Sequence, residues 1–141
     1  MRSTLLLIML WASFVCHAQS YKLFTTDEDL SSSLINHIYQ DSNGMIWVAT
    51  EDGLNRYDGA KFTTYKHNPE DAHSLSHNYV RRIFEDSKGH IYIGTHNGVQ
   101  VYNPATDTFS EKAILENDRP YNQSITDIIE RNNGEVWVAG Y

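Results

Sequence analysis

Asp41–Asp58 reads DSNGMIWVATEDGLNRYD, and the same pattern returns 45 residues later at Asp86–Asn103 as DSKGHIYIGTHNGVQVYN. A third start follows at Arg131–Tyr141, RNNGEVWVAGY. Gly44, Gly89 and Gly134 share one register, as do Trp47, Tyr92 and Trp137, and Ile38, Ile83 and Ile128. A period of roughly 40–50 residues made of short strands signals a β-propeller or a related repeat array.

Within each period the residues divide into four strands. Leu34–Gln40 predicts the first, ended at Asp41–Gly44 by a type I turn, where the Asp side chain bonds nearby backbone and Gly relieves the exit. Met45–Thr50 predicts the second. Asp52-Gly53 and Asn97-Gly98 then sit at matching places and predict type I′ hairpin turns, which need positive φ at both central residues. Leu54–Tyr57 and Val99–Tyr102 return as third strands, and Lys61–Tyr65 and Thr108–Lys112 as fourth. In the second strand Ile46/Val48 face one way and Trp47/Ala49 the other, so both faces are apolar, as a sheet wedged between two neighbours requires. The fold class is therefore all-β: a partial β-propeller of about two and a half four-stranded antiparallel blades, with repeats at 34–66, 79–112 and 124–141 of a domain spanning 19–141. Tyr21–Thr26 is expected to be a further short strand.

Residues 1–18 carry Arg2, a 12-residue and largely apolar run from Leu5 to Cys16, and a small residue at Ala18, the pattern of a cleaved secretory signal peptide. Spanning a bilayer takes about 20 apolar residues, more than this run offers. Cleavage removes the single cysteine and leaves 10 basic against 18 acidic groups, a net −8. No disulfide is then possible. An acidic exported domain also makes a poor partner for nucleic acid, whose affinity comes from Lys and Arg at phosphates.

Leu30–Tyr65 resembles the repeat of the two-component regulator propellers. The resemblance rests on Ile35, Ile38, Asp41, Gly44, Ile46, Trp47, Val48, Ala49, Thr50, Gly53, Leu54 and Tyr57. The second copy matches through Val80, Ile83, Asp86, Gly89, Ile91, Ile93, Gly94, Thr95 and Gly98, with Tyr92 in the Trp place and Val99 in the Leu place. The third departs at Arg131, where the Asp is missing. The resemblance implies the periplasmic sensor region of a hybrid two-component system histidine kinase, membrane-tethered in its parent. It implies an oligosaccharide ligand, no cofactor and no catalysis by this chain itself. The chain stops in the middle of its third repeat, which reads as a truncated N-terminal fragment. Its open blade faces are then expected to meet the rest of the sensor kinase or another copy of the chain.

Candidate chemistry is sparse. His37, Arg82 and Asp127 share one place in the three first strands, and Asn36, Arg81 and Thr126 share the place before it. First strands line the central channel of a propeller, so Asn36, His37, Arg81 and Arg82 are candidate sugar-binding groups, with Tyr39 or Tyr79 offering a ring. The alternative is a hydrated channel wall. His96 and Asn97, on the second hairpin turn, are exposed candidates of the same kind. Asp41–Gly44 and Asp86–Gly89 faintly resemble calcium loops, but Lys88 stands where an oxygen ligand is needed and no bidentate Glu follows. His73 and His77 have a spacing seen in zinc sites, without cysteine or a rigid element to complete one. No nucleophile elbow, HExxH or phosphate loop occurs. A propeller enzyme of the lyase or glycosidase type is the rival reading, since function sits in sites grafted on a fold.

Overall fold

The computed structural model describes residues 20–28, 30–112, 115–116 and 119–141, so the expected signal peptide lies outside the described residues. Among the described residues, two four-stranded antiparallel sheets and two two-stranded sheets follow one another along the chain. The first blade is β1 (Ile35–Gln40), β2 (Ile46–Thr50), β3 (Gly53–Tyr57) and β4 (Phe62–Tyr65). The second repeats it as β5 (Val80–Glu85), β6 (Ile91–Thr95), β7 (Gly98–Asn103) and β8 (Thr108–Glu111). A small hairpin, β9 (Leu115–Glu116) with β10 (Arg119–Pro120), precedes the third unit, β11 (Ile125–Glu130) and β12 (Val136–Gly140). That hairpin lies between the second and third repeats. The described residues contain no α-helix.

Blade stacking explains why both faces of each second strand are apolar. The Trp47/Ala49 face of the first blade packs with Val80, Ile83, Ile91 and Ile93 of the second. The Tyr92 face of the second packs with Ile125 and Ile128, flanked by Val136 and Val138 of the third. One register position shows the consequence: Ile83 and Ile128 are each 1% exposed, whereas Ile38 on the outermost face is 62% exposed. The opposite face gives the mirror result, with Trp47 at 0%, Tyr92 at 7% and Trp137 at 54%. Burying an aliphatic side chain of this size contributes about 1.5–3 kcal/mol. Repeat stability therefore resides in the contacts between neighbouring blades rather than within one sheet.

The Asp turns set the edge of each sheet. Asp41, 5% exposed, accepts bonds from the Asn43 and Met45 N–H groups at 3.0 and 2.9 Å and from the Trp47 indole at 2.8 Å. One carboxylate thus closes the turn and orients the core ring. Asp86 does the same for Lys88 and His90, with the Tyr92 hydroxyl replacing the indole at 3.1 Å. In the third repeat Arg131 stands in the Asp place, and the Trp137 indole turns to Glu135 at 3.4 Å instead. Turn chemistry therefore accounts for both Asp loops that resemble calcium sites. Each turn also stitches to the next blade: the Ser42 N–H and hydroxyl donate to Glu85, and those of Ser87 donate to Glu130, at 2.5–2.7 Å.

Burial works against charge on Asp86, but bonds from the His90 backbone and ring, the Lys88 N–H and the Tyr92 hydroxyl outweigh it and hold the carboxyl below its ordinary value of 3.8. A lowered folded-state value means stability that is present above the unfolded value and is lost as pH falls through the folded one. Asp86→Asn should thus destabilise the chain more at pH 7 than at pH 2. Urea unfolding at both pH values checks this; an equal penalty at each would refute it.

Two local expectations need correction. Tyr21–Thr26 forms no strand, and a single 3-10 turn follows at Thr26–Glu28. The segment lies over the first blade through Phe24, whose ring sits 4.9 Å from Tyr57 and 5.0 Å from Phe62. Side-chain packing, not ladder pairing, holds it. The β2–β3 and β6–β7 turns are not type I′ either, because only Gly53 and Gly98 take positive φ while Asp52 and Asn97 do not. Thr50 and Thr95 supply the missing constraint: each hydroxyl accepts from the N–H two residues on and donates to the glycine carbonyl.

Candidate ligand-binding rim

One backbone feature recurs at the start of every blade. The pairing of β1 with β2 slips between Ile35 and His37, that of β5 with β6 between Val80 and Arg82, and that of β11 with β12 between Ile125 and Asp127. The residues passed over are Asn36, Arg81 and Thr126. A bulge of this kind re-aims a side chain off the ladder, and bulges are frequent beside functional sites. Asn36 accordingly reaches the next blade, donating from Nδ2 to the Val80 carbonyl at 2.7 Å. Arg81 reaches further, donating from Nη1 to the Tyr141 hydroxyl at 2.6 Å and to Ser124 Oγ at 3.2 Å.

Arg81 anchors a group of polar and aromatic side chains at the end of the blades that carries the β2–β3 and β6–β7 turns. Its guanidinium lies 6.0 Å from the Tyr79 ring and 5.4 Å from the Tyr141 ring. Tyr79 stacks on His96 with ring centroids 4.0 Å apart and donates its hydroxyl to Glu51 at 3.0 Å. His77 stands 5.6 Å from His96. The hydrogen bond to Glu51 raises the Tyr79 phenol above its ordinary value. Burial, reinforced by His77 and Arg81, lowers the His96 value, so this imidazole is neutral near pH 7 and can both donate and accept. Glu51, His96 and Tyr141 occupy the same place in three successive repeats. The rim therefore presents one different side chain from each blade at one level, with hydroxyl-reading groups beside ring surface.

Below the rim, the second candidate row forms its own ladder. Arg82 Nε lies 2.8 Å from Asp127 Oδ1, an ion pair without the alignment of a hydrogen bond. His37 accepts from the Ile83 N–H at 3.3 Å through Nδ1. Burial, followed by the charge of Arg82, lowers the His37 value. These two residues spend their polar groups on neighbouring blades. Of the six sequence candidates, Arg81 and His96 converge, joined by Tyr79; Asn36, His37 and Arg82 tie first strands together. Asn97 borders a shallow pocket shared with the His67–Ser76 loop and stands apart. Glu51 and Tyr141 escape sequence reading because their turn position signals nothing until blades are stacked. Among the described residues no three His, Cys, Asp or Glu side chains cluster as a metal site would require.

The two-component regulator propeller family matches residues 29–52 and 74–97. A curated relative, histidine kinase P4 of Formosa agariphila, is 48% identical over 56 residues, covering 40% of this chain and 4% of the relative. Among solved structures, the extracellular domain of the hybrid two component system BT3049 from B. thetaiotaomicron superposes with a TM-score of 0.71 at 28% identity, covering 83% of this chain and 17% of that one. The extracellular domain of the one component system BT4673 from the same organism gives 0.65 at 26% identity, covering 76% and 15%. The chain thus spans less than a fifth of the length of each of these relatives. Two of its repeats are thus similar to the two-component regulator propeller repeat, and its fold is similar to that of the extracellular domains of sensor systems.

Proposed function

We propose that this chain is part of the periplasmic sensor region of a hybrid two-component system and that it binds an oligosaccharide without turning it over. The observation that carries the reading is the likeness, across most of the chain, to the extracellular domain of a hybrid two component system. The rim supports it. Arg81, His96 and Glu51 supply hydrogen-bond donors and acceptors of both kinds beside the edges of Tyr79 and Tyr141, a combination suited to ring hydroxyls. The exposed Ile38 and Trp137 faces are surfaces for the rest of the sensor kinase or for another copy, through which ligand occupancy would be passed on.

Calorimetry of the chain against a panel of neutral and acidic oligosaccharides, with chromatography of the same mixtures, tests the reading. Saturable binding without new products is expected, and Tyr79→Ala should weaken it at least tenfold by removing the ring that holds His96 in place. Cleavage of a glycosidic bond would replace the sensor with the enzyme reading. Binding that is indifferent to Tyr79→Ala would move the site away from the rim.

A further inference from the structure

The two blade-to-blade interfaces share one register but differ in their side chains, and a charged group present in only one of them is not required by the scaffold. Arg56 is such a group. The second blade carries Val101 at the equivalent place. The Arg56 guanidinium sits among the rings of Trp47, Tyr65 and Tyr102 at 5.6–5.7 Å from each. Its Nη1 donates to the Tyr102 hydroxyl and, at 3.0 Å, to Asp107 Oδ1. Tyr65 and Tyr102 donate to that same oxygen at 2.6 Å. Asp107 is the only non-glycine residue with positive φ among the described residues. Nε and Nη2 of Arg56 have no protein acceptor among the described residues, although the side chain is only 23% exposed. A guanidinium has five N–H donors, so more than half of its capacity is uncommitted.

Arg56 borders a cavity of about 530 Å³ between the first and second blades. It opens at the end of the blades that carries the Asp turns, opposite the rim. Its apolar lining includes Met45, Ile91 and Pro104, and its polar lining comes from Asp41, Arg56 and the exposed Asn43. The volume falls within the range of about 300–1,000 Å³ usual for small-molecule sites, and the lining has their character, mostly apolar with a few convergent polar groups.

We propose that this cleft is a second binding site, for a neutral sugar ring. A pyranose offers an apolar C–H face to Met45 and Ile91 and hydroxyl acceptors to Arg56 and the Asn43 amide. A carboxylate ligand fits less well, because Asp107 already neutralises Arg56 and Asp41 stands in the cavity wall. The inference rests on the cleft's own chemistry and does not depend on the rim.

The test uses substitutions drawn from the second blade, which show what a blade of this fold accepts. Arg56→Val installs the residue of position 101, and Asn43→Lys that of position 88. Saturation-transfer NMR of the chain with cellobiose, lactose and mannobiose, with galacturonate as the charged probe, is paired with crystals soaked in the best binder. At least one neutral disaccharide should bind, with density in the cleft, and Arg56→Val should weaken it at least tenfold while far-UV circular dichroism stays unchanged. Should Arg56→Val unfold, Asn43→Lys, on an exposed turn, should give the same loss. No binding by any neutral probe, binding equal in both variants, or preference for galacturonate would each overturn the proposal.

Discussion

Trp47→Ala is expected to lower stability by about 3–5 kcal/mol, the usual cost of deleting a buried indole. The same substitution at Trp137 should cost less than about 1 kcal/mol, because half-exposed sites respond weakly. Trp47 is fully buried, packs edge-on to Tyr102 at 4.9 Å and lies 6.2 Å from Tyr65. Its indole N–H also occupies one oxygen of the buried Asp41, which its removal would strand. Trp137 holds the identical register but has no blade over it and is 54% exposed. Urea unfolding followed by circular dichroism measures both. Comparable losses at the two positions would mean that the sheets are held from within rather than by each other.

The second large effect concerns a side chain that is not there. A Cβ at Gly94 would stand 2.7 Å from Ile125 Cγ2 and 3.0 Å from its Cβ. Gly94→Ala should therefore destabilise by about 1–3 kcal/mol, the range for overpacking a tight core. The matching positions of the first interface hold Ala49 and Val80, both fully buried in one cluster. There the extra methyl on one side accompanies a missing methyl on the other. Ile125→Val keeps Cβ and Cγ2, the atoms that would be met, whereas Ile125→Ala removes Cγ2, so Gly94→Ala should cost less in the Ile125→Ala background than in the wild-type chain. A double-mutant cycle reads the coupling directly. Additive penalties would show that the two residues do not meet as described.

Much of the architecture follows from local residue choice. Strand positions, Asp turns and the alternation of Trp/Ala against Ile/Val faces repeat at a fixed interval, and each arises from contacts within a few residues or across one hairpin. The candidate site was less legible. Four polar residues stand out by their register and two by an exposed turn, but the register does not say which of them the backbone turns outward.

The bulge in each first strand makes that choice, and neither glycine nor proline marks it, since the residues passed over are Asn36, Arg81 and Thr126. Tyr79 meets Glu51 across 28 residues, and Arg81 meets Tyr141 across 60. The Arg56 cage likewise joins β3 to the β7–β8 turn across 51. Sequence by itself determined the repeat, the β-blade and the family resemblance, because periodic burial is written into periodic residues. Tertiary structure alone decided the rim and the cleft, because both exist only where side chains from different blades are brought to one place by stacking.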